Sequence, residues 1–236
     1  MFIDFLKKPS SLYIDREKTI SIWKDLFNMV LIVILLTFLL GLVYTLITAL
    51  VNTSFEDLYP DQFDHNLESF KKRVRFPVMW MIVLGPIYEE VAFRLGLSFK
   101  KRHLIVSILL ILFFVTGGSL IYSGSVMQYL LNPGIRLFIL LILFFICNKY
   151  ITQNHIDLLK DRHSGFIVYM LALIFAVLHL SNYFPFEWRD SLFYLVIIAI
   201  IFIRAMALSY VRIKYGLVYA MLFHMVNNFI SYSGPL

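Results

Sequence analysis

Seven long apolar runs make up most of this 236-residue chain and limit what it can fold into. A helix needs about 20 apolar residues to cross the hydrocarbon core of a bilayer, which is about 30 Å thick. Because 60% of the residues are hydrophobic and only 15% are charged, we expect lipid rather than water to surround the chain. The runs cover residues 26–50, 76–99, 104–122, 135–150, 166–183, 192–211 and 215–232. The predicted fold is all-α, a polytopic transmembrane helix bundle of about seven spans.

The connections between these runs are short, apart from residues 51–75, so the sequence leaves no room for a separate soluble domain. We expect a basic cytoplasmic segment at residues 1–25, a first span with an interfacial loop at residues 26–75, and a membrane core at residues 76–236. No small-residue cleavage pattern follows the first apolar run, which predicts an uncleaved span. The single cysteine, Cys147, lies within the fourth run and is expected to be a small core residue.

The distribution of cations predicts an orientation with the N-terminus inside and the C-terminus outside, because cytoplasmic loops collect Lys and Arg. The cations on the predicted cytoplasmic side are Lys7, Lys8, Arg16, Lys18, Lys24, Lys100, Lys101, Arg102, Lys149, Lys160, Arg162, Arg212 and Lys214. An exception is the cluster of Lys71, Lys72, Arg73 and Arg75, which we assign to an amphipathic interfacial helix. The net charge of +6 then reflects topology and contact with an anionic lipid bilayer, and no nucleic acid partner is expected.

Three charged residues, Glu89, Glu90 and Arg94, lie inside the second apolar run. A charged side chain at mid-bilayer costs roughly 2.5 to 3.5 kcal/mol, so such groups normally face the bundle interior and mark a functional site. Glu90 and Arg94 are four positions apart and share a helical face, whereas Glu89 points about 100° away. We therefore expect Glu90 to neutralise Arg94 and Glu89 to remain the freer carboxylate, available as a base for water. Pro86 removes the helical donor to the carbonyl of Ile82 and could open space for that water.

Two further runs each carry an isolated histidine, His179 and His224, and Asn228 shares a helical face with His224. Counting about 1.5 Å of rise per residue from the cytoplasmic ends places the glutamates and His224 roughly 15 to 17 Å deep. The same count places His179 and Asn228 roughly 21 to 22 Å deep. Polar groups from three helices at similar depths can meet in one site.

Each of these residues also has a purely structural interpretation. Glu90 and Arg94 could form an ion pair that only joins helices, and an intramembrane histidine is often a hydrogen-bonded packing residue. Phe175, four positions before His179, is expected to pack in either case. Arg204 lies well inside the sixth run and could snorkel toward the cytoplasmic interface or pair with Glu89 or Glu90.

The three polar pairs, in this order, resemble the motifs of the CPBP intramembrane proteases, a family that includes CAAX proteases and bacterial bacteriocin-processing and self-immunity (Abi) proteins. Its Glu-Glu-x-x-x-Arg is similar to Glu89, Glu90 and Arg94, its Phe-x-x-x-His to Phe175 and His179, and its His-x-x-x-Asn to His224 and Asn228. The resemblance covers residues 86–228 and makes the membrane core a CPBP-like protease core. It implies an intramembrane endopeptidase in which Glu89 and His179 activate water, His224 and Asn228 stabilise the oxyanion, and Glu90 and Arg94 organise the site.

The resemblance also implies a membrane-associated peptide or protein as substrate and a multi-pass protein of the bacterial plasma membrane. Three alternatives remain open. Glu89, His179 and His224 could instead hold a catalytic zinc ion, although we favour a mechanism without a metal cofactor. The chain could be a non-proteolytic regulator or bacteriocin self-immunity protein that binds a membrane sensor or receptor. Glu, His and Arg also build proton relays in transporters, but the chain shows no internal repeat.

Overall fold

The computed structural model describes residues 2–10, 22–50, 62–117, 133–183 and 186–233, and every regular element within these ranges is helical. The helices are α1 (Phe2–Lys7), α2 (Ile22–Leu50), α3 (Gln62–Arg73), α4 (Pro77–Met79), α5 (Gly85–Arg94), α6 (Lys101–Gly117), α7 (Pro133–Tyr150), α8 (Gln153–Leu178), α9 (Ser191–Tyr215) and α10 (Leu217–Ser233). A π-helical turn, Trp80–Leu84, joins α4 to α5, and 3-10 turns cover Leu95–Ser98, His179–Tyr183 and Trp188–Asp190. The predicted all-α fold class is confirmed.

Four helical segments within these ranges are long and apolar enough to cross a membrane, and a fifth is possible. The four are α2, α7, Gln153–Tyr183 and Trp188–Tyr215. The fifth would combine His65–Lys72 with Pro77–Ser98, two parts that meet at a bend of 115°. Each of the seven predicted runs contains a helix. Two of these helices are too short to count as candidate spans by themselves: α6 has 17 described residues and begins with Lys-Arg-His, and Leu217–Ile230 is a shorter apolar helix. The structure thus supports a membrane protein with four to five candidate spans.

Helix α9 lies at the centre of the bundle and packs against α8, α2 and α10. Its residues from Ala205 to Val211 are all buried, so this stretch forms the middle of the core. By contrast, the most apolar windows of α2 and α7 have none of their residues buried inside the bundle. Exposed apolar surface of this extent is stable where lipid chains cover it. The two helices therefore form the periphery of the bundle.

A tight turn at Gly216 connects α9 to α10. Gly216 has φ 110°, a backbone conformation that favours glycine, and its N–H donates to the carbonyls of Val211 and Arg212. The next residue starts α10, which packs back against α9 and also against α5. This turn is what carries His224 and Asn228 to the helix that bears the two glutamates.

The N-terminal segment, predicted only as a basic cytoplasmic region, is partly buried. Phe2 and Phe5 of α1 lie in the core with their rings 5.3 and 5.5 Å from that of Tyr210. The Tyr169 hydroxyl donates to the carbonyl of Leu6 at 2.6 Å. The cations Arg16 and Lys18, by contrast, fall outside the described residues. Two aromatic side chains therefore dock the start of the chain onto α8 and α9.

Candidate active site

A π-helical turn directly precedes the helix that carries the glutamates. The N–H of Gly85 donates to the carbonyl of Trp80, five positions back, instead of to that of Met81. A Cβ on residue 85 would lie 2.8 Å from the Trp80 oxygen, so this close approach requires glycine. Pro86 follows and has no N–H for the next carbonyl. The wide turn and the proline together leave the Met81 carbonyl without a helical donor.

Glu90 is fully buried and contacts two side chains, those of His224 and Arg94. Its Oε1 accepts a hydrogen bond from His224 Nδ1 at 2.9 Å and lies 3.4 Å from Arg94 Nη1. The predicted approach of Glu90 to Arg94 is therefore present, and the imidazole of His224 is a second partner that the spacing along one helix could not show. A carboxylate between a guanidinium and an imidazole N–H is held in one orientation.

Arg94 is buried almost completely, and an aromatic face covers its guanidinium. Its Cζ lies 4.1 Å from the centroid of the Phe175 ring, a cation–π contact between α5 and α8. Within the described residues, Nη1, Nη2 and the second oxygen of Glu90 have no hydrogen-bond partner. Phe175 therefore contacts two residues of the site, since its ring also lies 4.3 Å from that of His179.

Both histidines use Nδ1 for a fixed hydrogen bond. His179 Nδ1 donates to the carbonyl of Phe175 at 2.8 Å, and His224 Nδ1 donates to Glu90. A carbonyl and an ion-paired carboxylate only accept, so we assign the proton of each neutral ring to Nδ1. The lone pair of each ring then resides on Nε2, the atom that faces Glu89.

Glu89 lies between the two imidazoles. Its Oε2 is 3.6 Å from His224 Nε2 and 3.9 Å from His179 Nε2. These distances exceed those of a direct hydrogen bond. One water molecule could still lie about 2.8 Å from both the carboxylate oxygen and an imidazole nitrogen. The Glu89 side chain is 22% exposed and that of His179 is 27% exposed, whereas Glu90 is 0% exposed. The structure therefore brings together Glu89, Glu90, Arg94, His179 and His224, and Glu89 is the more accessible carboxylate.

Asn228 reaches the same region but faces the broken helix. Its Nδ2 donates to the Met81 carbonyl at 2.9 Å and so replaces the donor that the π turn withdraws. One amide hydrogen is thereby committed to joining α10 to the π turn. The other remains for a ligand, since a carboxamide group carries two N–H donors.

Three contacts hold α5 in place around these groups. The Ser107 hydroxyl donates to the Ala92 carbonyl, and the Tyr88 hydroxyl donates to Leu110 at 3.1 Å. Arg212 Nε of α9 donates to the Arg94 carbonyl at 3.0 Å, which satisfies a carbonyl at the end of α5. Because these contacts come from α6 and α9, both glutamates sit on a helix braced from two sides.

Arg204 does not join the site. Among the described residues, the close partners of Glu89 and Glu90 are Arg94, His179 and His224, and the predicted alternative pairing of Arg204 with Glu89 or Glu90 is not found there. Its side chain is exposed. Cys147 is partly buried and has no disulfide.

Sequence reasoning missed a second buried polar cluster, centred on Asp25 of α2. Its Oδ2 accepts hydrogen bonds from the Tyr210 hydroxyl at 2.5 Å, from Lys214 Nζ at 2.6 Å and from the Tyr215 hydroxyl at 2.6 Å. The available signal was an acidic residue at the start of a long apolar helix. Its partners lie about 190 positions away, so no local spacing could identify them.

Comparison with protein-family models, with curated proteins and with solved structures gives no match for this chain.

Proposed function

We propose that this protein is an intramembrane endopeptidase that hydrolyses a peptide bond of a membrane-associated substrate with water activated by Glu89 and His179. The observation that supports the proposal is the approach of Glu89 Oε2 to two imidazole Nε2 atoms, at 3.6 and 3.9 Å, from two other helices. The resemblance of the three polar motifs to those of the CPBP proteases supports the same reaction class. The proposal also includes seven membrane spans, an N-terminus on the cytoplasmic side and a location in a bacterial plasma membrane.

The proposed reaction balances with these residues. A water molecule gives one hydrogen bond to Glu89 and the other to His179 Nε2, whose proton is on Nδ1. Glu89 takes the proton as the water oxygen attacks the carbonyl carbon, and the carbonyl oxygen becomes an oxyanion. The remaining amide hydrogen of Asn228 is a donor for that oxyanion. The proton held by Glu89 then passes to the amide nitrogen, the C–N bond breaks, and an acid and an amine are released.

Glu90 and Arg94 organise the site in this proposal. Glu90 fixes the His224 ring through Nδ1, which directs Nε2 to Glu89. In that orientation a neutral His224 accepts rather than donates at Nε2, so its role as an oxyanion donor requires protonation of the ring. Arg94 Nη1 lies 3.4 Å from the same Glu90 oxygen and supplies the positive charge nearest to it.

The proposal is tested by expressing the wild type, Glu89→Gln and His179→Ala and comparing the peptides and new N-termini in the membrane fraction. Glu68→Gln is a matched control, because Glu68 is an exposed carboxylate paired only with Lys71 among the described residues. We expect a set of cleavage products to disappear in both site variants and to persist in the control. Unchanged products in Glu89→Gln would refute the proposal. A retained cellular phenotype in that variant would favour a non-proteolytic regulator.

A zinc-dependent version of the same hydrolysis is the second candidate. Both imidazoles donate Nδ1–H to an oxygen and face Glu89 with Nε2, an arrangement common around metal-bound histidines. The fit is incomplete, because 3.6 and 3.9 Å exceed the separation of about 3.3 Å between ligands of a tetrahedral zinc ion. Among the described residues, no group of three or more His, Cys, Asp or Glu side chains has the geometry of a metal site. Activity lost to a chelator and restored only by zinc would favour this version.

A further inference from the structure

A cavity of about 530 Å³ opens where the 3-10 turn after α5 leads into α6. It is lined by Lys100, Lys101, Arg102, His103, Asn148 and Gln153. None of these residues belongs to the candidate active site. Asn148 lies near the end of α7 and Gln153 starts α8, so the cavity lies between the ends of three helices.

The lining of this cavity is positively charged. Three consecutive cations contribute to it, and no carboxylate does. Lys101 Nζ donates to the Asn148 carbonyl at 2.6 Å, a neutral partner that leaves the positive charge uncompensated. The ion pairs among the described residues include neither Lys100 nor Arg102. A concave surface with one sign of charge concentrates ions of the opposite sign.

Hydrogen bonds set the shape of the cavity in advance. Phe99 has φ 52°, a left-handed conformation that is unfavourable for a residue with a side chain. Gln153 holds this turn, because its Nε2 donates to the Phe99 carbonyl at 3.0 Å and its Oε1 accepts from the Lys101 N–H at 2.9 Å. The nearby carboxylate of Asp157 accepts a hydrogen bond from Gln153 at 2.9 Å. The Gln153 side chain of α8 therefore fixes the backbone of the turn that carries the three cations.

Exposed apolar side chains lie along α6 and α7, the helices whose ends line the cavity. These two helices pack together, and both carry exposed aliphatic and aromatic side chains. They include Ile108, Leu112, Leu141, Phe145 and Ile146. A lipid with its headgroup in the cavity would lay its acyl chains along this surface. Basic pockets between membrane helices are recognised sites for anionic headgroups.

We propose that this cavity binds a phosphate-bearing anion and that its source is the headgroup of an anionic phospholipid. The uncompensated Lys100 and Arg102 would contact the phosphate oxygens, and the adjoining lipid-facing surface of α6 and α7 favours a lipid over a free phosphate. The binding does not depend on the proposed proteolysis. It would add a second function to the turn that follows α5, namely recognition of the membrane surface.

The test uses the full chain purified in a non-ionic detergent, with dioleoylphosphatidylglycerol or dioleoylphosphatidylcholine added in increasing amounts. Bound lipid is counted by native mass spectrometry, and inorganic phosphate is titrated separately. We expect phosphatidylglycerol to bind more tightly than phosphatidylcholine, and Lys100→Gln with Arg102→Gln to weaken that binding about tenfold to thirtyfold. The matched control is Lys160→Gln with Arg162→Gln, which removes the same charge from α8 outside the cavity lining.

Equal loss in the two double variants, or equal binding of the two lipids, would overturn the proposal. Inorganic phosphate that competes at millimolar concentration and binds as tightly as the lipid would reject the lipid source. If the double variant does not fold, Arg102→Gln alone carries the test, with an expected loss of about fivefold. Binding to this single variant that equals wild-type binding would then refute the site.

Discussion

Two buried polar clusters join helices in this protein, and they differ in how completely their hydrogen bonds are formed. In the cluster around Asp25, one carboxylate oxygen accepts from three donors at 2.5 to 2.6 Å. In the candidate active site, Glu89 has partners only at 3.6 and 3.9 Å, and Glu90 Oε2 has none among the described residues. A saturated buried network stabilises one arrangement of helices, whereas open positions allow a site to bind and react.

Accessibility follows the same division. Asp25 is 4% exposed, and its three donors surround it on α9. Glu89 and His179 are about a quarter exposed and face each other across the junction of α5 with the end of α8. The first cluster therefore belongs to the folding of the bundle, and the second is the region where a substrate could meet a base. Substitutions in the two clusters should separate activity from stability.

The largest effect is expected for Glu89→Gln. This change keeps the shape of the side chain but removes the proposed base, so the proposed proteolytic activity should fall by roughly two to four orders of magnitude. The side chain is partly exposed and has no short hydrogen bond to another described residue, so the unfolding free energy should change by less than about 1 kcal/mol. Cleavage rate and thermal unfolding are measured on the same purified sample. An equal loss of stability and activity would mean that Glu89 stabilises the bundle and is not the base.

The next effect concerns the pairing of Glu90 with Arg94. Glu90→Gln should destabilise the protein by about 3 to 5 kcal/mol, because it removes the counter-charge nearest to the buried guanidinium. The double variant Glu90→Gln with Arg94→Met should be less destabilised than Glu90→Gln alone. Unfolding in mixed micelles over a complete double-mutant cycle measures the coupling. Strictly additive losses would mean that the two charges act independently.

A smaller loss of stability is expected for Asp25→Asn. The amide keeps the shape of the carboxylate but removes the charge that accepts from Lys214, so we expect a cost of about 2 to 3 kcal/mol. Activity per folded molecule should stay at the wild-type level. Asp157→Asn is the control, since that carboxylate is exposed and bonds only to Gln153 among the described residues. A specific loss of activity without loss of stability would reverse the distinction between the clusters.

The smallest effect on stability is expected for Asn228→Ala, which removes the donor to the Met81 carbonyl at the π turn. Interhelical hydrogen bonds of this kind contribute about 0.6 to 1.7 kcal/mol in membrane proteins, so we expect a stability loss of that size. If the second amide hydrogen serves the oxyanion, activity should fall by an additional factor of about 100 or more. Asn182→Ala is the control, because among the described residues its hydrogen bond is made by the backbone carbonyl, which accepts from Asn66. A loss of stability alone would make Asn228 purely structural.

The sequence predicted the helical class and the polar residues that share a helical face, because both depend on local periodicity. Apolar runs of about 20 residues give helices, and polar residues four positions apart share one helical face. Depth, counted in steps of 1.5 Å, was enough to place Glu89, His179 and His224 in one layer. It was not enough to count spans, because a break such as the Trp80–Leu84 turn changes the length of a helix without changing its composition.

The contacts between side chains of different helices could not be predicted from the sequence, for a different reason. Glu90 lies four positions from Arg94, which made that pair predictable, but its hydrogen bond to His224 depends on how α10 rotates against α5. The cation–π contact of Arg94 with Phe175 depends in the same way on α8. Rotation and translation between helices are set by side-chain packing over the whole interface.

The amino-acid sequence by itself indicated a membrane protein, determined that its elements are helices, and showed which polar side chains each helix carries. Local chemistry is sufficient for these, since hydrophobicity and helical periodicity act over a few turns. Only the tertiary structure decided which carboxylate is saturated, which faces two imidazoles, and which carbonyl Asn228 supplies with a donor. Those outcomes depend on distances of a few tenths of an ångström between helices far apart in the chain, which only the packed bundle sets.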